Sequence, residues 1–251
     1  MSSQPDPRQE GEGGGASGRG KILPIVRWGT PILHRELRPV TAFDTKELDA
    51  LVADMFATMY AAGGVGLAAN QIGVDLRVFV YDMDDARGTR RWGAVCNPII
   101  EPSSQKAFGD SDDDGGSHEA PGGTGSAGFN TPAHSSHQHH HHHHQPHALQ
   151  RTLSMTEGCL SYPGISASVS RLGAITINGV DQRGEALTIH ATGFFSHVLQ
   201  HEVDHLNGIV YGDRVSLGRR EEMDRKYKDL EAKKAYPDDW PATQTDHKWG
   251  D

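Results

Sequence analysis

The sequence predicts an α+β fold in which a central metal-binding helix packs against mixed or antiparallel β-sheets. Three observations support this class. The stretch around His201 and His205 is apolar on one side, which is typical of a helix inside a domain. Segments 173–180 and 186–191 have strand composition and flank the turn sequence Asp-Gln-Arg-Gly, which predicts a β-hairpin. A further apolar helix and two strand-like segments precede them.

The elements of the first half follow from the spacing of apolar residues. An acidic helix start at 44–47 precedes apolar residues that recur at intervals of three and four over 48–59. We therefore predict a core-facing helix that ends at the two glycines 63–64. Segments 77–82 and 92–100 have the composition of strands.

The second half contains the predicted hairpin and two helices. Thr192 can cap the helix that carries His201, and Asn207 with Gly208 predicts its end. From about residue 217 to residue 234 the sequence is highly charged and predicts a peripheral helix.

Low-complexity segments divide the chain of 251 residues. Residues 1–21 are rich in Gly, Ser, Gln and charge, and we predict a disordered tail. A single domain, 22–215, is interrupted at about 103–150 by an insertion rich in Asp, Gly, Ser and His, with six consecutive histidines at 139–144. We predict that this insertion is also disordered. Residues 216–251 form the charged C-terminal helix and a tail.

Composition excludes several classes of protein. The formal net charge of -9 argues against specific nucleic-acid binding, which needs a basic surface. No segment resembles a signal peptide or reaches the length of a membrane span, so we expect a soluble, cytoplasmic protein without membrane contact. Two cysteines, Cys96 and Cys159, fit reduced thiols better than a disulfide framework.

The helix around His201 carries a metal-binding pattern. His201, Glu202 and His205 form H-E-x-x-H, which stacks the two imidazoles on one helix face and places the carboxylate where it can manage protons for metal-bound water. A catalytic site needs a third ligand. His197 lies on the same face but is eight residues from His205, roughly 12 Å along a helix, so both cannot reach one ion. The third ligand must come from another segment.

Three segments together resemble the peptide deformylase family. They are Gly64-Val-Gly-Leu-Ala-Ala-Asn-Gln71, Glu157-Gly-Cys-Leu-Ser161 and Gln200-His-Glu-Val-Asp-His-Leu-Asn-Gly208, and they occur in the family's order. The resemblance covers about residues 22–102 and 151–215. It implies a peptide deformylase-like α+β fold, with 22–215 as the catalytic domain.

The resemblance implies a reaction and a ligand set. Cys159 becomes the third ligand beside His201 and His205, and one divalent metal ion is expected. The family favours Fe2+, while Zn2+, Ni2+ or Co2+ also suit these ligands. The implied activity removes the N-formyl group from formyl-methionine of newly made polypeptides and releases formate. The family pattern implies three catalytic residues. Glu202 transfers the proton, and the Gln71 side-chain amide and the Leu160 backbone N–H stabilise the oxyanion.

Substrate positions are also implied by the resemblance. Val65, Gly66, Phe194, His197 and Val198 occupy positions that hold the extended peptide and its methionine side chain. His197 replaces the aliphatic residue common there, so we expect it at the pocket rim with its ring carbons inward. Expected partners are formyl-methionyl nascent polypeptides, a transient ribosome contact is left open, and the chain is expected to be a monomer.

The sequence leaves two other functions open. One is a zinc peptidase whose H-E-x-x-H helix is completed by a downstream ligand, Glu221 or Glu222. The other is a non-catalytic His-rich metal-binding protein that uses the histidines at 139–144.

Overall fold

The computed structural model describes residues 6–8, 20–103 and 151–241. The insertion beyond residue 103, most of the N-terminal tail and residues 242–251 lie outside these ranges, so the predictions of disorder stay predictions. The helices are α1 (Lys46–Ala61), α2 (Gly193–Leu206) and α3 (Leu217–Ala232). The strands are β1 (Gly66–Ala68), β2 (Val78–Asp84), β3 (Arg90–Pro102), β4 (Thr152–Cys159), β5 (Tyr162–Leu172), β6 (Ala174–Val180) and β7 (Ala186–Thr192).

The described strands form two antiparallel sheets. Five strands lie in the order β1-β2-β3-β6-β7, and β4 pairs with β5 in a separate two-stranded sheet. The predicted hairpin is confirmed as β6 and β7, in which Ile177 lies opposite Ile189. The α+β class is confirmed, and all the pairs between these strands are antiparallel.

The two-stranded sheet was not predicted. Strand β5 alternates exposed serines with buried residues, such as exposed Ser168 beside buried Ala167 and Val169. This alternation is the normal signature of a strand with one buried face. The alternation is visible in the sequence at 166–170, but the preceding segment contains glycine and proline, which are typical of a loop.

Helices α1 and α2 lie on opposite faces of the large sheet. Val78 and Val80 of β2 pack with α1, whereas Phe79 and Tyr81 pack with α2. Successive side chains of a strand point to opposite faces, so β2 is covered on both sides. This explains its continuous burial from Val78 to Met83.

Helix α2 is the central helix that the sequence predicts. Every residue from Phe195 to Leu206 is buried, and Leu199 is fully enclosed in the core with Phe79. The helix begins after Thr192 and ends before Asn207, as predicted, although the Thr192 side chain makes no capping hydrogen bond. Because α2 is buried on all sides, a polar atom on it that lacks a partner inside the protein is costly and points to a function.

Helix α1 begins two residues later than its acidic start suggested. Its cap is Thr45, whose side chain accepts a hydrogen bond from the backbone N–H of Leu48 at 3.2 Å. Helix α3 is highly charged, as predicted, and buries Met223 and Tyr227 in a cluster with residues of β5.

The described residues at the N-terminus contact the large sheet. Asp6 accepts hydrogen bonds from Arg90 at 2.6 and 2.9 Å, and Arg8 pairs with the buried Asp82 at 2.9 Å. These contacts were not predicted from the sequence. Within the described ranges, none of the helices combines the length and the apolar character needed to cross a membrane.

Candidate metal centre

Helix α2 and strand β4 bring three metal-binding side chains together. The ligand atoms of Cys159, His201 and His205 lie within 4.8 Å of one another, and all three residues are buried. The Cys159 Sγ atom is 3.2 Å from Nε2 of His205, about the separation of two donors on one ion with bonds of about 2 Å. Within residues 6–8, 20–103 and 151–241, no other group of three such side chains is found.

The donor set fits a divalent transition metal. A thiolate and two imidazoles are borderline to soft ligands that suit Zn2+, Fe2+, Co2+ or Ni2+. Three protein ligands leave a coordination position for water or substrate, which is typical of catalytic sites and not of structural ones.

The carboxylate of Glu157 orients one of the imidazoles. Its Oε2 atom lies 2.8 Å from Nδ1 of His201, so the other ring nitrogen is left for the metal. Glu157 and Cys159 are both buried on β4, and despite an irregularity in the strand between Gly158 and Cys159 both side chains contact histidines of α2. One strand thus supplies both a metal ligand and the group that orients a second ligand.

The two ligand histidines have opposite protonation tendencies. Burial disfavours the charged form of His201, but its contacts with Cys159 and Glu157 prevail and raise its pKa well above the ordinary value. Burial lowers the pKa of His205 well below the ordinary value. His205 is therefore ready to bind as a neutral ligand, whereas metal binding must displace a proton from His201.

Glu202 is buried without a partner for one of its oxygens. The side chain is on α2 beside His201, and its Oε2 atom makes no hydrogen bond. Burial raises the pKa of this carboxyl to about 7. A carboxyl with a pKa near neutrality can both accept and release a proton at physiological pH.

Close packing against β1 confines Glu202. A Cβ atom added at Gly66 would collide with the Glu202 carboxyl group. The glycine therefore allows the backbone of β1 to approach this side chain more closely than any other residue would permit.

Gln71 presents an amide nitrogen to the same site. Its Oε1 atom accepts a 2.8 Å hydrogen bond from the backbone N–H of Ala68, which fixes the orientation of the amide. The Nε2 atom then lies 3.5 Å from the Cys159 Sγ atom and 3.4 Å from the Ser161 Oγ atom. A hydrogen-bond donor thus faces the metal ligands from the segment that follows β1.

A cavity of about 490 Å³ opens onto these groups. It is lined by all five residues that were predicted to bind substrate, together with most of the metal and catalytic positions. Val65 and Phe194 are exposed and His197 is buried. The lining contains Val65, Gly66, Gln71, Cys159, Leu160, Phe194, His197, Val198, His201 and Glu202. His205 does not line the cavity and lies deeper, 1% exposed.

His197 is oriented differently from our expectation of a residue at the rim. It is only 2% exposed, and its Nε2 atom lies 2.5 Å from Oε1 of Glu157. The ring thus lies in the cavity wall with its polar edge against a buried carboxylate.

A chain of alternating charges, buried from Glu157 to Asp204 and ending at the exposed Arg214, supports the centre. Arg171 contacts both oxygens of Glu157 and also donates to Asp204 at 2.7 Å. Asp204 in turn accepts from the side chain of Arg214 through both of its oxygens. The contacts of Glu157 with His197, His201 and Arg171 prevail over burial and hold its pKa well below the usual range. Removing one partner of such a buried pair costs about 3–5 kcal/mol.

No role for Glu157, Arg171 or Asp204 was predicted from the sequence. Glu157 and Asp204 stand inside two of the quoted motifs, so their positions were known but their contacts were not. Because β4 was not predicted, the sequence did not place Glu157 beside Cys159 on one strand. Nothing in the sequence near Arg171 indicates its partners.

The peptidase alternative lacks its third ligand. Glu221 and Glu222 are exposed on α3, and Glu222 pairs with Arg219 at 2.7 Å. Neither belongs to the group that can hold a metal ion. That alternative is therefore not favoured.

An α+β fold with a buried Cys-His-His group and an adjacent unpartnered glutamate defines a metal-dependent hydrolase. Sequence comparison identifies the family within this class: the model of the polypeptide deformylase family matches residues 22–117 and 134–221. The chain belongs to the polypeptide deformylase family and is an enzyme. The unmatched residues 118–133 lie within the predicted insertion.

Known relatives are similar over most of their length. Peptide deformylase 1 of Streptomyces avermitilis is 38% identical over 221 residues, covering 87% of this chain and 81% of the relative. A crystal structure of a peptide deformylase from Legionella pneumophila has a TM-score of 0.61 at 29% identity, covering 85% of this chain and 98% of that one. A class I type b peptide deformylase from Acinetobacter baumannii, bound to Met-Ala-Ser, has a TM-score of 0.55 at 26% identity, covering 77% and 98%.

Proposed function

We propose that this chain removes the N-formyl group from formyl-methionine of newly made polypeptides with a divalent ion held by Cys159, His201 and His205. One observation supports this assignment of the site. The three ligands form a buried group beside Glu202, whose Oε2 atom has no hydrogen-bond partner. Membership of the deformylase family supplies the reaction. A bound ion contributes Lewis-acid catalysis, which activates water at neutral pH and polarises the formyl group.

Glu202 moves the proton in this proposal. Its Oε2 atom accepts a proton from the attacking water and delivers it to the amine nitrogen as the formyl C–N bond breaks. The products are formate and a peptide with a free amino group. The pKa of about 7 suits both halves of this transfer.

Two donors stabilise the negative charge that develops on the formyl oxygen. The Nε2 atom of Gln71 is held towards the ligands by the bond of its Oε1 atom to Ala68. Leu160 follows Cys159 directly at the turn between β4 and β5, and we assign its backbone N–H as the second donor. Donors that are fixed before the reaction stabilise an oxyanion without reorganisation.

The peptide is proposed to lie along β1 as an added strand. In the described sheet β1 is at the edge and pairs with β2 alone, so Gly66 can offer backbone groups to an extended chain. The carbonyl of Val65 already accepts a hydrogen bond from the backbone N–H of Asp82 at 3.0 Å, so Val65 is proposed to contact the peptide through its side chain. The methionine side chain then enters the cavity beside Phe194, His197 and Val198. The Acinetobacter baumannii structure, bound to Met-Ala-Ser, supports a peptide that begins with methionine as the occupant of this fold.

The physiological ion, the oligomeric state and the compartment are proposed from the family and from the chemistry of the ligands. We assign Fe2+ as the physiological ion, with Zn2+, Ni2+ and Co2+ as replacements that the same ligands accept. We also propose a cytoplasmic monomer that contacts the ribosome transiently, in which 22–215 is the catalytic domain. The free thiols of Cys96 and Cys159 agree with a reducing compartment.

The activity can be tested directly by formate release. We expect protein purified without oxygen and containing one ion per chain to release formate from a formyl-Met-Ala-Ser peptide. Chelation should abolish this release, and Fe2+ or Co2+ should restore it. Folded protein with one bound ion that releases no formate would contradict the proposed function.

Deletion of residues 103–150 tests the histidine-rich alternative. We expect the deletion variant to keep one bound ion per chain and nearly unchanged turnover, because all three proposed ligands lie outside the segment. Elemental analysis and the formate assay measure both properties. A non-catalytic metal-binding protein would instead lose nearly all its bound metal, and collapse of activity in a folded variant would also contradict our expectation.

Gly66→Ala tests the confinement of Glu202. The new methyl group must displace either the carboxyl or β1, and we expect kcat/KM to fall by about 10²-fold, as for a catalytic group displaced by roughly 1 Å. Gly93→Ala is the matched control, since Gly93 and Gly66 both lie opposite Tyr81 and the nearest atom to its new Cβ would be 3.4 Å away. Equal activity in the two variants would contradict a close approach of β1 to Glu202.

A further inference from the structure

His197 lies between the substrate cavity and the carboxylate that orients a metal ligand. It is one helical turn before His201, and both rings approach the same side chain, Glu157. The family resemblance leads one to expect an aliphatic residue here, which could not make this contact. The imidazole therefore brings a polar contact that depends on this chain's own residue.

The surroundings of Glu157 show what the contact adds. Its Oε1 atom contacts Nε of Arg171 and Nε2 of His197, the latter at 2.5 Å. Its Oε2 atom contacts a terminal nitrogen of Arg171 at 3.0 Å and Nδ1 of His201 at 2.8 Å. Each oxygen thus has one contact to the guanidinium and one to an imidazole of α2.

The geometry limits His197 to an indirect role. It is not part of the group whose atoms can hold a metal ion. The approach of its Nε2 atom to Glu157 is close enough for an ion pair but does not have the geometry of a hydrogen bond. The ring therefore acts on Glu157 through the close approach of its polar edge and by occupying the space on the cavity side of Oε1.

We propose that His197 is a positioning residue that fixes the Glu157 carboxylate, and through it the ring of His201, so that the protein retains its metal ion. Arg171 holds the carboxylate from one side, and His197 blocks its rotation from another. Without the imidazole, Oε1 would face a cavity that can admit water, and the bond from Oε2 to His201 would be free to shift. Partners that orient metal ligands typically change metal affinity by about 10–100-fold when they are removed.

Metal release gives a readout that does not depend on catalysis. The wild type and His197→Ile are loaded with Co2+, and loss of the thiolate-to-cobalt absorption is followed after addition of a chelator. We expect His197→Ile to release Co2+ about tenfold faster than the wild type, at the lower end of the range for groups that orient ligands. The proposal relies on the deformylase metal centre, but formate release is not part of this test, so failure of the proposed activity would be seen separately.

Three further variants identify the cause of any faster release. His197→Gln keeps a polar group that can face Oε1, which His197→Ile does not, and should return the release rate to within about threefold of the wild type. Val198→Ala enlarges the cavity beside His197 without removing a contact to Glu157, and its release rate should match the wild type. Glu157→Gln, which weakens the contact to His201 directly, should release Co2+ at least as fast as His197→Ile.

Three results of these release measurements would overturn the proposal. Release from His197→Ile within twofold of the wild type would overturn it, as would equal release from His197→Gln and His197→Ile. Equally fast release from Val198→Ala would also overturn it, since the cause would then be a wider cavity. Circular dichroism establishes that each variant is folded, and His197→Leu replaces His197→Ile in every comparison if the latter does not fold.

Discussion

Glu202→Gln is expected to lower kcat/KM for formate release by about 10²–10⁴-fold, because an amide can neither accept the proton of water nor deliver it to the amine. The substitution nearly preserves the shape of the side chain. The three ligands are unchanged, so the variant should still hold one metal ion per chain. A loss of activity with full metal content therefore isolates proton transfer from metal binding.

The control for this prediction is Glu222→Gln. Glu222 is exposed on α3, outside the metal-binding group, and its substitution should leave kcat/KM at the wild-type value. Retention of more than a tenth of the activity in Glu202→Gln would show that another group carries the proton. Loss of metal from Glu202→Gln would instead show that this residue supports the ligands.

Cys159→Ala is expected to abolish both metal retention and formate release. Two imidazoles from one helix remain, and they do not complete the three-ligand set of a catalytic site. Elemental analysis after gel filtration should find well below one ion per chain. Because the ion binds only the folded protein, the stabilisation that added Co2+ gives to the wild type should also disappear from thermal unfolding.

The second cysteine of the chain provides the matched control. Cys96 is completely buried in the core, where burial raises the pKa of its thiol to about 12, and it does not belong to the group of side chains that can hold a metal ion. Cys96→Ala should lower the melting temperature but keep one ion per chain and its activity. Full metal occupancy in Cys159→Ala would contradict the deformylase-type centre and would favour a site completed by a different residue.

Much of the fold could be predicted from local patterns. The helix over 46–61 follows from apolar spacing, and the β6–β7 hairpin follows from two strand-like segments around a turn. The β4–β5 sheet was missed, although residues 166–170 alternate clearly, because the preceding segment contains glycine and proline and reads as a loop. That β4 and β5 form a sheet separate from the other five strands depends on tertiary packing, which the sequence does not reveal.

The residues of the candidate site were also predicted only in part from local patterns. His201 and His205 follow from helical spacing, whereas Cys159 was identified through resemblance to the family, since it lies 42 residues before His201 in the numbering. The structure brings the three together. The contacts of Glu157 with Arg171, His197 and His201 could not be predicted, because they join two strands to a helix and leave no periodic pattern.

The two sheets meet at the metal centre, and this has a consequence for local unfolding. Two ligands come from α2, which packs on the five-stranded sheet, and the third comes from the end of β4 in the two-stranded sheet. A bound ion is therefore a cross-link between two substructures that could otherwise separate locally. The free energy of opening the β4–β5 unit becomes linked to metal concentration, and hydrogen exchange of its backbone amides reports the occupancy of the site.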